Sequence, residues 1–172
     1  MPLSLHTENE VNAYIEKEVI ENGFMGLGEF TLPSGVIKLL EPIFKAAANY
    51  VHLPLWIHAF NPLTIADIKE IARYAKDFPA VPVIVGHLGG SNWLETIELA
   101  KETANLYIDI SAYFSTLVLK TAMNELPAKC IFGVDMPYGD LQLAIAAVRK
   151  LANSNEITDA VLGDNIAAVL NL

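Results

Sequence analysis

VPVIVGHLGG, residues 81–90, runs five apolar residues into a glycine, a histidine, a leucine and two further glycines. An unbroken, β-branched-rich apolar run reads as a strand covered on both faces, the habit of a parallel sheet. The stretch therefore delivers one imidazole, that of His87, to a glycine-rich loop at the carboxyl end of a buried strand.

The same pattern recurs along the chain. GFMGLGEF (23–30), LPLWIHAF (53–60), NLYIDISAY (105–113) and KCIFGVDMP (129–137) are further strand candidates, each bounded by Gly, Pro or Asn. Between and around them, amphipathic spacing predicts helices in 7–23, 34–51, 63–78, 91–104, 115–126, 139–154 and 156–172. Thr7 with Glu10 three residues on has the capping-box arrangement, and Gly23 stops the same helix. Ser91 is the expected cap of the fourth helix. No low-complexity linker or composition break divides the chain, so residues 1–172 are expected to form a single domain. Alternating strands and helices mean right-handed βαβ units on a parallel sheet. Two architectures share that pattern, an open doubly wound sheet and a closed (βα)8 barrel, and both put their functional loops at the carboxyl ends of the strands.

Composition narrows the function. The 172 residues are 53% hydrophobic and 18% charged, with a net charge of −9 and a mean hydropathy of +0.36. Such a chain either buries a large core or keeps apolar surface for a partner. Its acidity opposes both nucleic acid and anionic membrane as partners, because each demands clustered Lys and Arg. Cys130, the single cysteine, cannot form an intramolecular disulfide and sits in an apolar run, where a small buried thiol is expected. The opening MPLSLHTENEVN is not patterned as a signal peptide, and no apolar run approaches the ~20 residues that span a bilayer. A cytoplasmic location is the expectation.

Each apolar run ends in a residue able to bind metal or move a proton: Glu29, His58, His87, Asp109 and Asp135. Glu29, His58 and His87 are spaced 29 residues apart, and Asp135 follows 48 further on. Singly, each has a structural reading: a strand-end histidine held by hydrogen bonds, an exposed loop carboxylate, an aspartate forming a turn. In phase, they would stand on one face of the sheet, and two imidazoles with carboxylates are a ligand set that Zn²⁺ and similar ions prefer. The glycines of GHLGG would equally suit a phosphate-cradling turn, although neither the dinucleotide nor the P-loop spacing is present.

PLWIHAF, VIVGHLGG, LYIDIS, CIFGVDMPYGD and the terminal GDNIAAVLNL resemble, in order and spacing, the second half of the (βα)8 barrel of the amidohydrolase superfamily. The likeness is to its amidohydrolase-related (family 2) group of metal-dependent hydrolases. GLGEF is similar to the fourth-strand segment that carries a glutamate in some branches. The resemblance implies an incomplete TIM-barrel-like α/β fold of five parallel strands, numbers four to eight, without the first three βα units. It further implies Glu29, His58, His87 and Asp135 as ligands of one or two divalent metal ions, zinc above others, with Glu29 ligating or bridging in two-metal members and His87 alternatively an electrophile beside the metal, not a ligand, in single-metal members. Asp135 and His87 would be the catalytic residues, Asp135 taking the proton of a metal-activated water that attacks an amide, ester, lactone or related carbonyl of a small-molecule substrate. The segment 136–140 and the seventh strand would line the pocket. One departure stands out: the family's first-strand His-Xaa-His pair is absent, and His6 and His52 are isolated.

An open sheet exposes edges and apolar interior. Either a helix packs over them or the chain forms a homo-oligomer through the open side. The alternative function, from a different class, is a catalytically silent barrel fragment acting as a binding or assembly module.

Overall fold

The computed structural model describes residues 7–50, 53–112 and 115–172. Five strands form one sheet in sequence order, every neighbouring pair parallel: β1 Leu27–Phe30, β2 Leu55–Ile57, β3 Val83–Val85, β4 Leu106–Asp109 and β5 Cys130–Ile131. Among the described residues eight α-helices accompany them: α1 Glu8–Tyr14, α2 Glu41–Ala47, α3 Ile65–Asp77, α4 Trp93–Glu102, α5 Thr116–Glu125, α6 Leu141–Leu151, α7 Asn155–Asp159 and α8 Asn165–Leu170. The arrangement is an incomplete (βα)8 barrel.

Alternation along the strands sorts the core. Leu55, Ile57, Val83, Val85, Leu106, Ile108 and Cys130 turn outward into the main hydrophobic cluster with the helices. Trp56, Ile84, Tyr107 and Ile131 face the inner side, where Ile166 and Val169 of α8 pack on them. A helical segment thus lies against the inner surface on the β5 side. The same segment satisfies the edge of β5: Phe132 N–H donates to Val161 O at 3.1 Å, and Asn165 Nδ2 donates to Cys130 O and Pro127 O, each at 2.7 Å. Burial leaves the Cys130 thiol 0% exposed and pushes its pKa upward, which keeps it protonated and unreactive.

Helix ends show where local signals hold and where tertiary contacts override them. The capping box of α1 is formed, Glu10 N–H donating to Thr7 Oγ1 at 3.3 Å and Thr7 N–H to Glu10 Oε2 at 3.0 Å. The helix expected from residue 34 starts later, with a 3₁₀ turn at Ile37–Leu40. Gly35 is left-handed (φ +82°), and Ser34 and Gly35 are instead tied to Asp67 at the start of α3. Ser91 is not the cap of α4. His87, Leu88, Gly89 and Gly90 all have positive φ, so helical geometry resumes only after Asn92, the N-cap, whose side chain makes no capping bond and donates instead to Leu63 O at 3.4 Å.

Candidate metal centre

The candidate residues gather at the carboxyl ends of the strands. β1 contains one more residue than β2 between their paired positions, since Leu27 pairs with Leu55 but Phe30 with Ile57. That bulge re-aims Glu29, and its Oε1 lies 2.8 Å from Nδ1 of His58, the residue directly after β2. His87 stands two residues beyond β3, and its Nε2 lies 3.7 Å from the same Glu29 oxygen. Glu29, His58 and His87 each offer one ligand atom, and these atoms all lie within 4.8 Å of one another.

The five strand-end residues do not occupy equivalent positions in their units, as equal spacing suggested. Glu29 lies inside its strand, Asp109 ends β4, and Asp135 comes four residues after β5. Asp135 is outside the three-residue cluster, on the other side of His87, with Oδ2 at 4.0 Å from Nδ1. His6 and His52 lie outside the described residues.

His87 is the most confined member, 5% exposed. The edges or faces of three rings surround its imidazole: Trp56 at 5.0 Å, His58 at 4.9 Å and Phe60 at 6.3 Å between centroids. Gly86 lets Trp56 come close, because a Cβ there would overlap the indole ring. Gly90 admits Phe60 in the same way, a Cβ meeting its ring at 2.9 Å. Ring packing around the histidine therefore explains Gly86 and Gly90, whereas Gly89, left-handed at φ +74°, lies against Thr96 of α4.

Two further polar residues, the strand-end candidate Asp109 and the unflagged Ser111, complete the surroundings. Asp109 and Ser111, 3% and 4% exposed, lie behind His87. Ser111 Oγ is 2.9 Å from His87 Nδ1 and donates a short bond to Asp109 Oδ2. Asp109 also accepts from His87 N–H at 3.3 Å and from Ser111 N–H at 3.2 Å. Burial pushes the Asp109 carboxyl upward, against the donors that favour its charged form. Asp109 carried a strand-end signal in the sequence; Ser111 had none, serine being ordinary in a loop.

These groups open onto a cavity of about 380 Å³, floored by Trp56, Ile84, Ile131 and Ile166 and rimmed by Glu29, His87, Asp109, Ser111 and Asp135. The segment 136–140 divides: Gly139 and Asp140 line a neighbouring apolar cavity of about 210 Å³, while Met136 and Tyr138 project into solvent. Among the described residues no helix is long and apolar enough to cross a membrane.

Solved structures share this architecture. An uncharacterized TIM-barrel protein from Bordetella bronchiseptica superposes with a TM-score of 0.77 at 20% identity, covering 97% of this chain and 64% of its own. A dihydroxybenzoic acid decarboxylase from Polaromonas sp. JS666, with bound manganese and the inhibitor 2-nitroresorcinol, gives 0.68 at 16% identity, covering 97% and 67%. The 4-oxalomesaconate hydratase of Rhodopseudomonas palustris gives 0.61 at 15%, covering 99% and 63%. The chain thus spans about two thirds of the length of these proteins. No curated protein matches it. The family model described as amidohydrolase (Amidohydro_2) matches residues 3–172, and on that near-complete match the chain belongs to the amidohydrolase family.

Proposed function

We propose that the chain is a divalent-metal-dependent enzyme in which Glu29, His58 and His87 hold the ion and Asp135 accepts and returns a proton. The observation that carries this reading is the mutual approach of the three ligand atoms within 4.8 Å at the carboxyl ends of parallel strands. Two imidazoles and one carboxylate suit zinc and also manganese, and the manganese held by the similar decarboxylase structure supports a divalent ion without singling out zinc. Bound there, the ion would polarise an oxygen of the substrate and lower the pKa of water.

The chain's own residues supply the remaining functions. Trp56 and Phe60 pack around the His87 ring and limit water on that side. Asp135, about a third exposed and 4.0 Å from His87, stands where it can exchange a proton with a reacting group in the cavity. The cavity of about 380 Å³ fits a small molecule. Attack of water on an amide, ester or lactone is the first reaction proposed. Decarboxylation of a small aromatic acid is the second, favoured by the decarboxylase among the similar structures.

The test is elemental analysis after purification without chelators. One or two equivalents of a divalent metal, lost in His58→Gln or His87→Gln, is the expected result. Absence of metal even after loading would favour the silent binding module. Product analysis of metal-loaded protein with lactone and hydroxybenzoate substrates separates hydrolysis from carbon dioxide release.

A further inference from the structure

We propose that the site admits uncharged carbonyl compounds with an apolar body and repels carboxylates, so that a hydrolytic product is driven out by the charge it acquires. The inference deepens the metal-centre reading and rests on it for the reaction, although the charge pattern belongs to the chain's own side chains.

The positions of the basic residues carry the argument. The chain has 11 Lys and Arg, and residues 1–6, 51–52 and 113–114 contain none, so every one lies among the described residues. None lines the cavity of about 380 Å³, and none lines its apolar neighbour. All but Lys129 belong to the surrounding helical segments. Lys129 immediately precedes β5, at the amino end of the sheet and away from the site, where its Nζ donates to Ala100 O and Thr103 O at 2.6 Å each. Proteins hold a carboxylate chiefly with the guanidinium or ammonium groups that are missing here.

What does line the cavity points the same way. Its acidic members are Glu29, Asp109 and Asp135, and Trp56, Ile84, Ile131 and Ile166 supply an apolar floor. A flat or aliphatic neutral body loses water there at no electrostatic cost. An anion would lose its hydration and meet acidic side chains, a juxtaposition that costs affinity. A divalent ion brings two positive charges, matched in number by Glu29 and Asp135, which leaves no surplus to hold a further anion.

This pattern separates the two reactions. In hydrolysis, water adds to the carbonyl carbon, the bond to nitrogen or oxygen breaks, that atom takes a proton, and the acid formed ionises by releasing another. The substrate enters neutral and the product leaves as an anion. Decarboxylation must begin by admitting the carboxylate that this cavity disfavours.

The experiment is calorimetric titration of benzamide and benzoate, alike in shape and different in charge, into metal-free and metal-loaded protein near neutral pH and at low ionic strength. Benzamide should bind the more tightly in both forms, by at least about tenfold. Salt at about 1 M, where the screening length is about 3 Å, should narrow the gap by strengthening benzoate alone. Ile166→Lys places a cation at the apolar floor and should raise benzoate affinity by at least about tenfold. Benzoate binding as tightly as benzamide to the metal-loaded wild type, binding of neither compound, or an unchanged preference in a folded Ile166→Lys would overturn the proposal. The wild-type titrations decide it even where the variant does not fold. A benzamide preference in protein that takes up no metal would sustain the inference and sink the metal-centre reading. A benzoate preference in protein whose metal depends on His58 and His87 would sink the inference alone.

Discussion

Glu29 and His58, carried by adjacent parallel strands, meet at 2.8 Å between Oε1 and Nδ1. The contact exists because β1 carries one extra residue opposite β2, which brings a carboxylate to the level of the first residue past the neighbouring strand. If this pair forms one side of a metal site, replacing Glu29 by Gln keeps the shape and removes the charged donor. Affinity for Zn²⁺ or Mn²⁺, read by competition with a chromophoric chelator, should then fall at least about tenfold, the scale on which even an outer partner matters. Unchanged affinity would remove Glu29 from the ligand set.

Metal should also stabilise the fold, since the three donors are brought together only in the native state. At a free concentration about 100 times Kd, mass action adds about 2.7 kcal/mol, or about 5–10 °C in Tm for a chain of this size. Differential scanning fluorimetry should record that rise, and a chelator should reverse it. In His58→Gln or His87→Gln the added metal should leave Tm where it was.

Asp67 gives the fold an acid-labile tie. Although burial works against ionisation, bonds from Ser34 Oγ (2.6 Å), Gly35 N–H (2.7 Å), Thr64 N–H (2.7 Å) and Thr64 Oγ1 (2.7 Å) lower its pKa to about 2. A carboxyl whose folded pKa is depressed stabilises above its unfolded value, ordinarily about 3.9, and loses that contribution as pH falls through about 2. The linkage amounts to about 2 kcal/mol near neutrality. Urea titrations between pH 5 and pH 2 should show this loss in the wild type, superposed on other carboxylates. The Asp67→Asn difference should shrink toward zero at the acid end; a difference independent of pH would refute the assignment.

Gly86 is required by the packing of Trp56. A methyl group in Gly86→Ala would overlap the indole, which must move from its place beside His87. Overpacking of this kind costs about 1–3 kcal/mol. Tryptophan fluorescence during denaturant unfolding should report a lower midpoint, and the native emission should shift as Trp56 is displaced.

Asn165 ties the final helical segment to the open edge of the sheet, donating to Cys130 O and Pro127 O at 2.7 Å each. Asn165→Ala leaves buried carbonyls without that donor, a change worth about 1–3 kcal/mol. Hydrogen exchange should be fastest to respond at Phe132, whose N–H bonds to Val161 in the same contact. If only distant amides exchange faster, the edge is held by something else.

The sequence by itself determined the five strands, the helices between them, the parallel character of the sheet and the identity of the polar residues at the strand ends, whereas the sequential order of the strands, left open by the pattern and implied only by the family resemblance, is given by the structure. Such features are written in hydrophobic periodicity, which records one residue at a time whether a side chain meets core or water. Glu29, His58 and His87 were legible because each interrupts an apolar run where a parallel strand must end. Tertiary structure alone decided their relation. Equal spacing suggested equal placement, yet a one-residue bulge and a left-handed turn shift Glu29 and His87 to different levels, and those same shifts bring their atoms together. Ser91 has the composition of a helix cap, but four left-handed residues before it delay the helix past Asn92. Ser111 meets the site only because β4 pairs with β3 and sets its hydroxyl between Asp109 and an imidazole 24 residues away. Local pattern encodes burial, whereas a hydrogen-bonded or metal-binding site depends on distances between remote segments, and those are fixed only when the sheet assembles.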